Sequence, residues 1–353
     1  MAISVAHEHV SDESPEVLVT GWLDELVDRL KILELVARGG PIPDRLATEA
    51  VEAYIRFCRQ LNDLIGAPSQ LPEQQRTELG ALAGERLAPY VELAMSASRW
   101  RSKPRGYAGD DVSIQMIYDR RPSGDTSFAK AIDALFLEMP AAQAVRNRRR
   151  LLSSRVKGVY TAAARRRLVH VMALAAGPAA EMFDAWEDLG RPGDLRACFV
   201  DGDHAAVKAL QGRSAANADP LAATTLLCAA VHKANLAHVA LGKHTLDVPP
   251  QDLIYSLGLA DYLKDDMVVK LLDIAYKSLR PGGIVIIGNF HESNPDRACL
   301  DHVLQWRLIH RSEGDMHRLM SKSMFGAACE EIEREPTGVQ MLAIGRKPLN
   351  CRL

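Results

Sequence analysis

The chain has 353 residues, 47% of them hydrophobic, and sets 43 lysines and arginines against 45 aspartates and glutamates for a net charge of -2. That length exceeds one ordinary core and predicts two domains, or one domain with a large appendage. The even charge balance gives no support to a nucleic-acid partner.

Six cysteines (Cys58, Cys198, Cys228, Cys299, Cys329 and Cys351) occur without a C-x-x-C pair. Reduced thiols are therefore expected, with no metal site and no disulfide framework. No apolar run approaches the ~18 residues that span a membrane. The opening "MAISVAHEHVSDESPE" has neither the basic nor the apolar region of a leader. A cytoplasmic protein without a membrane partner is the expectation.

Over 16–100 the apolar spacing is helical: Trp22, Leu26, Leu30 and Leu33, then Val51, Ile55 and Cys58, then Leu87, Val91 and Met95. Breaks at "GGPIP" and "GAPSQLP" divide the stretch into three helices. Such a trio hides its apolar stripes poorly alone, so it should pack on the C-terminal part of the chain or on a second copy, and a homodimer is compatible with it. A polar loop, "RSKPRGYAGDDVSIQMIYDRR", spans 101–121. Helices are expected at 127–139 and 141–167. From Arg146 to Arg167 the second is rich in arginine and has no acid. It reads as a solvated face whose arginines pair with acids elsewhere, or as a docking face for an acidic carrier protein or an anionic substrate.

Beyond Leu168 short apolar runs alternate with helical patterns: "LVHVMAL", "RACFVD", "AHVAL", "DLIYSLG" and "GIVIIGNF". Parallel strands buried on both faces read as continuous apolar stretches, so the alternation predicts a parallel sheet with crossover helices. "CEEIEREPTGVQMLAIGRK" predicts a terminal hairpin turning at Thr337-Gly338. The expected fold is α/β: a seven-stranded Rossmann-like methyltransferase sheet over 166–353, with an all-helical cap over 1–165.

In such sheets ligands bind beyond the carboxyl ends of the strands, and the first strand-to-helix turn needs small residues. Ala175, Ala176, Gly177, Pro178, Ala179 and Ala180 supply them. The turn is neither G-x-G-x-x-G nor a lysine-bearing phosphate loop, which disfavours hydride cofactors and triphosphates. Alone, it is as well explained as a structural corner. Asp201 ends the second strand, near the ~20-residue spacing at which an acid takes the ribose hydroxyls, and an ionised carboxylate suits a diol. Asp203 reads as the cap of the next helix. Tyr255, Ser256, Leu257 and Gly258 end the fourth strand at the crevice, and Ser256 and Gly258 are the expected cofactor contacts. For the adenine contact, Lys243, His244 and Thr245 are equivalent candidates.

"LRPGG" running into a strand, with the small turn, the "DGD" and "DLIYSLGL", resembles the class I S-adenosylmethionine-dependent methyltransferases. More narrowly, "KPRGYAGD", "QAVRNRR" and "GNFHESNPDR" resemble the methyltransferase family associated with biosynthesis of 3-hydroxypalmitic acid methyl ester, a quorum-sensing signal. The resemblance runs from about Arg101 to Lys347. It implies S-adenosylmethionine as co-substrate, no metal, and methyl transfer in secondary or signal metabolism to a small-molecule or acyl carboxylate, free or carrier-bound. It places the loop of Tyr107 and Asp110 over the methionine end, where a phenol face could meet the sulfonium; the alternative is a turn whose Asp110 caps the next helix. Arg146 could hold the methionine carboxylate or pair with Asp110. A carboxylate acceptor needs no base; for an alcohol or amine, His291 is the candidate and His310 the lesser one.

The family's usual acid at the end of the first strand, which helps to hold the methionine ammonium, is replaced here by Ala173. A less firmly protonated amine opens a second reaction, attack on the cofactor's own γ-carbon to give azetidine-2-carboxylate and methylthioadenosine. A non-catalytic S-adenosylmethionine sensor is the alternative of another class. A nicotinamide dehydrogenase fits least, because it leaves the hairpin unexplained.

Overall fold

The computed structural model describes residues 13–163, 167–216, 228–233, 236–240 and 246–349. The first segments are helices: α1 (Pro15–Gly39), α2 (Asp44–Ile65), α3 (Glu73–Leu93), α4 (Met95–Ser102), α5 (Asp111–Asp119), α6 (Ser127–Glu138) and α7 (Pro140–Ala163). Pro15 sits at the start of α1, where a missing N–H costs nothing, and Ser14 caps it by accepting from Val17 N. In α2 the buried residues Ala50, Ala53, Tyr54, Phe57, Cys58 and Leu61 form one stripe. Two helices escape the three-helix reading. Ala94 is extended and splits α4 from α3, and α5 lies inside the expected polar loop, started by the Asp110 cap.

The second part is a mixed α/β sheet in the order β3-β2-β1-β4-β5-β7-β6. Its strands are β1 (Val169–Leu174), β2 (Leu195–Asp201), β3 (Cys228–Lys233), β4 (Gln251–Ser256), β5 (Leu279–Phe290), β6 (Glu331–Arg334) and β7 (Gln340–Arg346). The first five run parallel, and β7 pairs antiparallel with both β5 and β6. The order reverses between β1 and β4, which opens a crevice at their carboxyl ends. Between the strands lie α8 (Ala180–Asp188), α9 (His204–Ala216), α10 (Leu236–Ala240), α11 (Asp265–Ser278) and α12 (Glu313–Lys322). "AHVAL" is not the third strand: most of it forms α10, and β3 lies a few residues earlier, in register with β2. A five-residue apolar run does not distinguish strand from helix.

The strand alternation assigns side chains to two faces. Val169, Val171, Ala173, Leu253, Tyr255, Ile284 and Ile286 pack in one core with α7 and α8. Met172, Leu174, Ile254, Val285 and Ile287 pack in another with α11 and α12. A third core joins the cap helices to Phe290, Ala298 and the stretch from Cys299 to Leu308, which opens with a π-helical turn (Cys299–Val303). The cap therefore rests on a segment that comes from beyond β5.

Helix α7 belongs to both parts. Ala141, Ala142, Ala144 and Val145 enter the cap core, while Leu152 and Val156 enter the sheet core. The expected boundary at 165/166 falls outside the described residues. The α7 basic side chains are mostly spoken for: Arg149 pairs with Asp184, Arg155 with Glu331 and Glu333, and Lys157 with Asp188. Among the described residues, no helix is long and apolar enough to cross a membrane.

Candidate active site

A cavity of about 760 Å³ opens at the carboxyl ends of β1, β2 and β4 and is closed by α5, α7 and the segment after β5. Its floor is the turn after β1, where Ala175, Gly177 and Ala179 all have left-handed backbone, at φ 53°, 52° and 47°. Two of those are alanines in a region that L-residues avoid, a strain of the kind that concentrates at functional sites. The turn is fastened to β2: Gly177 N donates to Asp201 Oδ2 at 2.9 Å, and Ala176 N donates to Val200 O at 3.2 Å.

Asp201 lines the cavity beside Ala175 and Gly177. Its second oxygen accepts from Asp203 N at 2.9 Å. Each carboxylate oxygen has a further lone pair for a ligand hydroxyl. Asp203 caps α9 through Ala205 N at 2.8 Å, and its other oxygen receives Arg105 at 3.0 Å and the Tyr107 hydroxyl at 3.4 Å. Burial pushes the Asp203 carboxyl up, but the backbone donors and Arg105 outweigh it and hold it below the usual range. Burial, then the charges of Asp201 and Asp203, raise the Tyr107 phenol.

Tyr107 thus lies at the β2 end of the cavity, beside the capping Asp203 and near Asp201, the acid expected to take a ribose. This corrects the placement of its loop over the methionine end. The physical reason is Arg105, which pairs with Asp111 within the loop and with Asp203 across to the sheet.

Three other expectations also give way. Asp110 is fully buried, caps α5 through Ser113 N at 2.7 Å and pairs with Arg99, so it holds the loop from behind and does not line the cavity. Arg146 turns into the cap, donating to Leu137 O at 2.6 Å and Gln143 Oε1 at 3.1 Å. It pairs neither with Asp110 nor with anything in the cavity. His291 is buried outside the lining, with Nδ1 2.7 Å from Ser293 Oγ, and burial lowers its pKa. His310 is likewise outside the lining, and burial brings it down to about 3.

Ser256 is the fifth correction. It is fully buried and shares the far face of β4 with Ile254, leaving Tyr255 to line the cavity. Gly258 does line it, and a Cβ there would stand 3.4 Å from the Arg148 guanidinium. Lys243, His244 and Thr245 lie outside the described residues.

The structure brings in residues that the sequence does not single out. Arg148, two positions from Arg146 and so on another face of α7, donates to Leu257 O at 3.0 Å and leaves its buried Nε without a partner. Glu181, in the first turn of α8, is 3% exposed, and burial raises its carboxyl. The buried Tyr255 hydroxyl faces it without reaching hydrogen-bonding geometry. Asp261, in a 3₁₀ turn (Ala260–Tyr262), accepts from Phe290 N at 2.7 Å and is pushed up to about 6 by burial. Opposite these polar groups the cap presents Ile114, Tyr118 and Val145, and the segment after β5 presents Trp306 and Leu308. Among the described residues no cluster of histidine, cysteine and acid could hold a metal.

No model of a protein family matches the sequence, and no curated protein matches it either. Solved structures do. A possible exported protein from Bordetella parapertussis is similar over 86% of this chain and 97% of its own, with 18% identity and a TM-score of 0.54, which shows a shared fold. The S-adenosylmethionine-dependent methyltransferase SibL in its apo form is similar over 94% of this chain and 98% of its own, at 17% identity and a TM-score of 0.44. Magnesium protoporphyrin IX methyltransferase from Synechocystis with bound S-adenosylhomocysteine covers 59% of this chain and 86% of its own, at 10% identity and a TM-score of 0.44.

Proposed function

We propose that this chain is an S-adenosylmethionine-dependent transferase that methylates the carboxylate of a small-molecule or acyl acceptor. The carrying observation is that Asp201, at the end of β2, lines the same cavity as the left-handed turn after β1. When bound, S-adenosylmethionine supplies a methyl carbon made electrophilic by its sulfonium. The lining suits a cationic adenosyl ligand, since Asp111, Glu181, Asp201, Asp203 and Asp261 outnumber Arg105 and Arg148.

Asp201 is the ribose acceptor in this reading, and Arg148, with its unpartnered Nε, is the donor for the methionine carboxylate. Glu181 takes the ammonium in place of the acid that Ala173 lacks. The volume is well within the range of ligand pockets and leaves room for an acceptor beside the cofactor. With His291 out of reach, an acceptor that needs no base is favoured. Catalysis is then largely placement of that acceptor by the apolar cap wall.

A second reading draws on Glu181. A carboxyl raised by burial is a better base near neutrality, and here it could take the proton from the cofactor's α-ammonium, as cyclisation to azetidine-2-carboxylate requires. Incubation with S-adenosylmethionine, alone and with a panel of carboxylic acids, followed by mass analysis of products, separates the two. S-adenosylhomocysteine and a methyl ester, formed only when an acid is present, are expected. Methylthioadenosine without acceptor would transfer the assignment to cyclisation, and absence of binding by calorimetry would remove both.

A further inference from the structure

The cap carries a second cavity, of about 640 Å³, between α3, the loop after α4 and the stretch just beyond the π-helical turn. Tyr107, Tyr262 and Trp306 line both this cavity and the inner one. A layer of aromatic side chains is therefore the partition between them. Trp306 Nε1 donates to Tyr262 Oη at 2.7 Å, and Gly109 backs the pair so closely that a Cβ there would lie 2.9 Å from that oxygen.

The two sides of the partition differ in charge. Acids dominate the inner cavity. The outer one holds Lys103, His302 and Arg307 against a single acid, Asp301. Asp301 already has Arg297 at 3.9 Å, and burial pushes its carboxyl up to about 6. Among the described residues Lys103 and Arg307 line this cavity without a side-chain hydrogen bond or close ion pair, although the charge of Arg307 reaches Asp301 and opposes the upward push of burial on its carboxyl. Lys103 and Gln305, both on this rim, have left-handed backbone at φ 49° and 53°. An aromatic layer with Lys103 and Arg307 on its outer side suits an apolar stem that ends in an anionic group.

Resting on the reading of the inner cavity as the S-adenosylmethionine site, we propose that the outer cavity binds an anionic group at the far end of the acceptor. The acceptor class is then an amphiphile with two anionic ends: a carboxylate presented to the inner cavity, an apolar stem crossing the aromatic layer, and a carboxylate or phosphate held by Lys103 and Arg307.

Calorimetry on the full chain, with and without S-adenosylhomocysteine, would compare α,ω-diacids from octanedioate to hexadecanedioate with monoacids of equal length. At one diacid length the wild type should prefer the diacid by about tenfold. That preference should fall below about twofold in K103Q/R307Q, with S-adenosylmethionine affinity unchanged. Both side chains are at least partly exposed, so the neutral variants should fold, and circular dichroism checks this. ω-Phosphonododecanoate distinguishes the two anions, since tighter binding than dodecanedioate would assign a phosphate. Equal binding of diacids and monoacids by the wild type, or a preference that survives in the double variant, overturns the proposal. If S-adenosylmethionine does not bind while the diacid preference and its loss persist, the reading of the inner cavity fails and the outer anion site stands.

Discussion

The two walls of the inner cavity are made differently. On the sheet side the groups are polar and held by backbone: Asp201 by two main-chain donors, Asp261 by Phe290 N, and the turn by three left-handed residues. On the cap side Ile114, Val145, Trp306 and Leu308 are held by packing alone or by side-chain contacts. Backbone register is set by the fold and tolerates little variation, whereas a packed apolar wall can be reshaped by exchanging volumes. The sheet wall is thus suited to an invariant cofactor and the cap wall to the choice of acceptor, and substitutions on each side test whether the two can be separated.

The largest effect is expected on the sheet side. Asp201→Ala removes the diol acceptor and should weaken S-adenosylmethionine binding by about 1.5 to 3 kcal/mol, the range for hydrogen bonds to a charged group. Calorimetry reads this directly, and unchanged affinity would take Asp201 out of the site. Arg148→Ala is the next largest and crosses the division, because a helix shared with the cap supplies a donor to the sheet wall. It leaves Leu257 O and Gln340 Oε1 without that partner, at a cost of about 1 to 3 kcal/mol in stability. Urea unfolding measures this, and a weakened cofactor affinity in the still-folded variant would place Arg148 on the ligand.

The same contrast explains what is legible in the sequence. The parallel strands, the small turn and Asp201 follow from apolar continuity and from spacing along the chain, and both survive as local patterns. Arg146, Asp110 and His291 have suitable chemistry, but their orientation depends on partners far away in sequence or on the face of a helix. Arg146 and Arg148 sit in one arginine run, and only packing decides which of them faces the cavity. Tyr255 and Ser256 are adjacent on a strand whose period of two sends one to each face. Glu181 reads locally as an ordinary acid in a helix's first turn. Its burial comes from α7 and β4, which no local pattern announces.

Asp261 tests whether the cap's burial reaches the polar wall. Its carboxyl is raised to about 6 from 3.8, so the fold favours the protonated form. That contribution to stability is fully present below pH about 4 and is lost as pH rises through 6, with a slope of at most about 1.4 kcal/mol per pH unit. Asp261→Asn keeps an acceptor for Phe290 N and removes the titration. The variant should gain on the wild type from pH 4 to 7 in chemical denaturation. Parallel curves would show that the native fold compensates the Asp261 charge.

The smallest effect is expected from Trp306→Phe on the cap side. The substitution deletes the Nε1 donor to Tyr262 Oη. It keeps an aromatic ring against Trp100, whose ring centre lies 5.6 Å away. Losing one hydrogen bond of this kind costs about 1 kcal/mol, and Tyr262 is exposed enough for water to replace the lost partner. Stability should therefore fall only slightly. Because Trp306 forms part of the cap wall and of the partition, the KM for a carboxylate acceptor should rise several-fold while the S-adenosylmethionine affinity holds. An equal loss of both would mean that the aromatic layer braces the whole cavity, and the division between a cofactor wall and an acceptor wall would have to be abandoned.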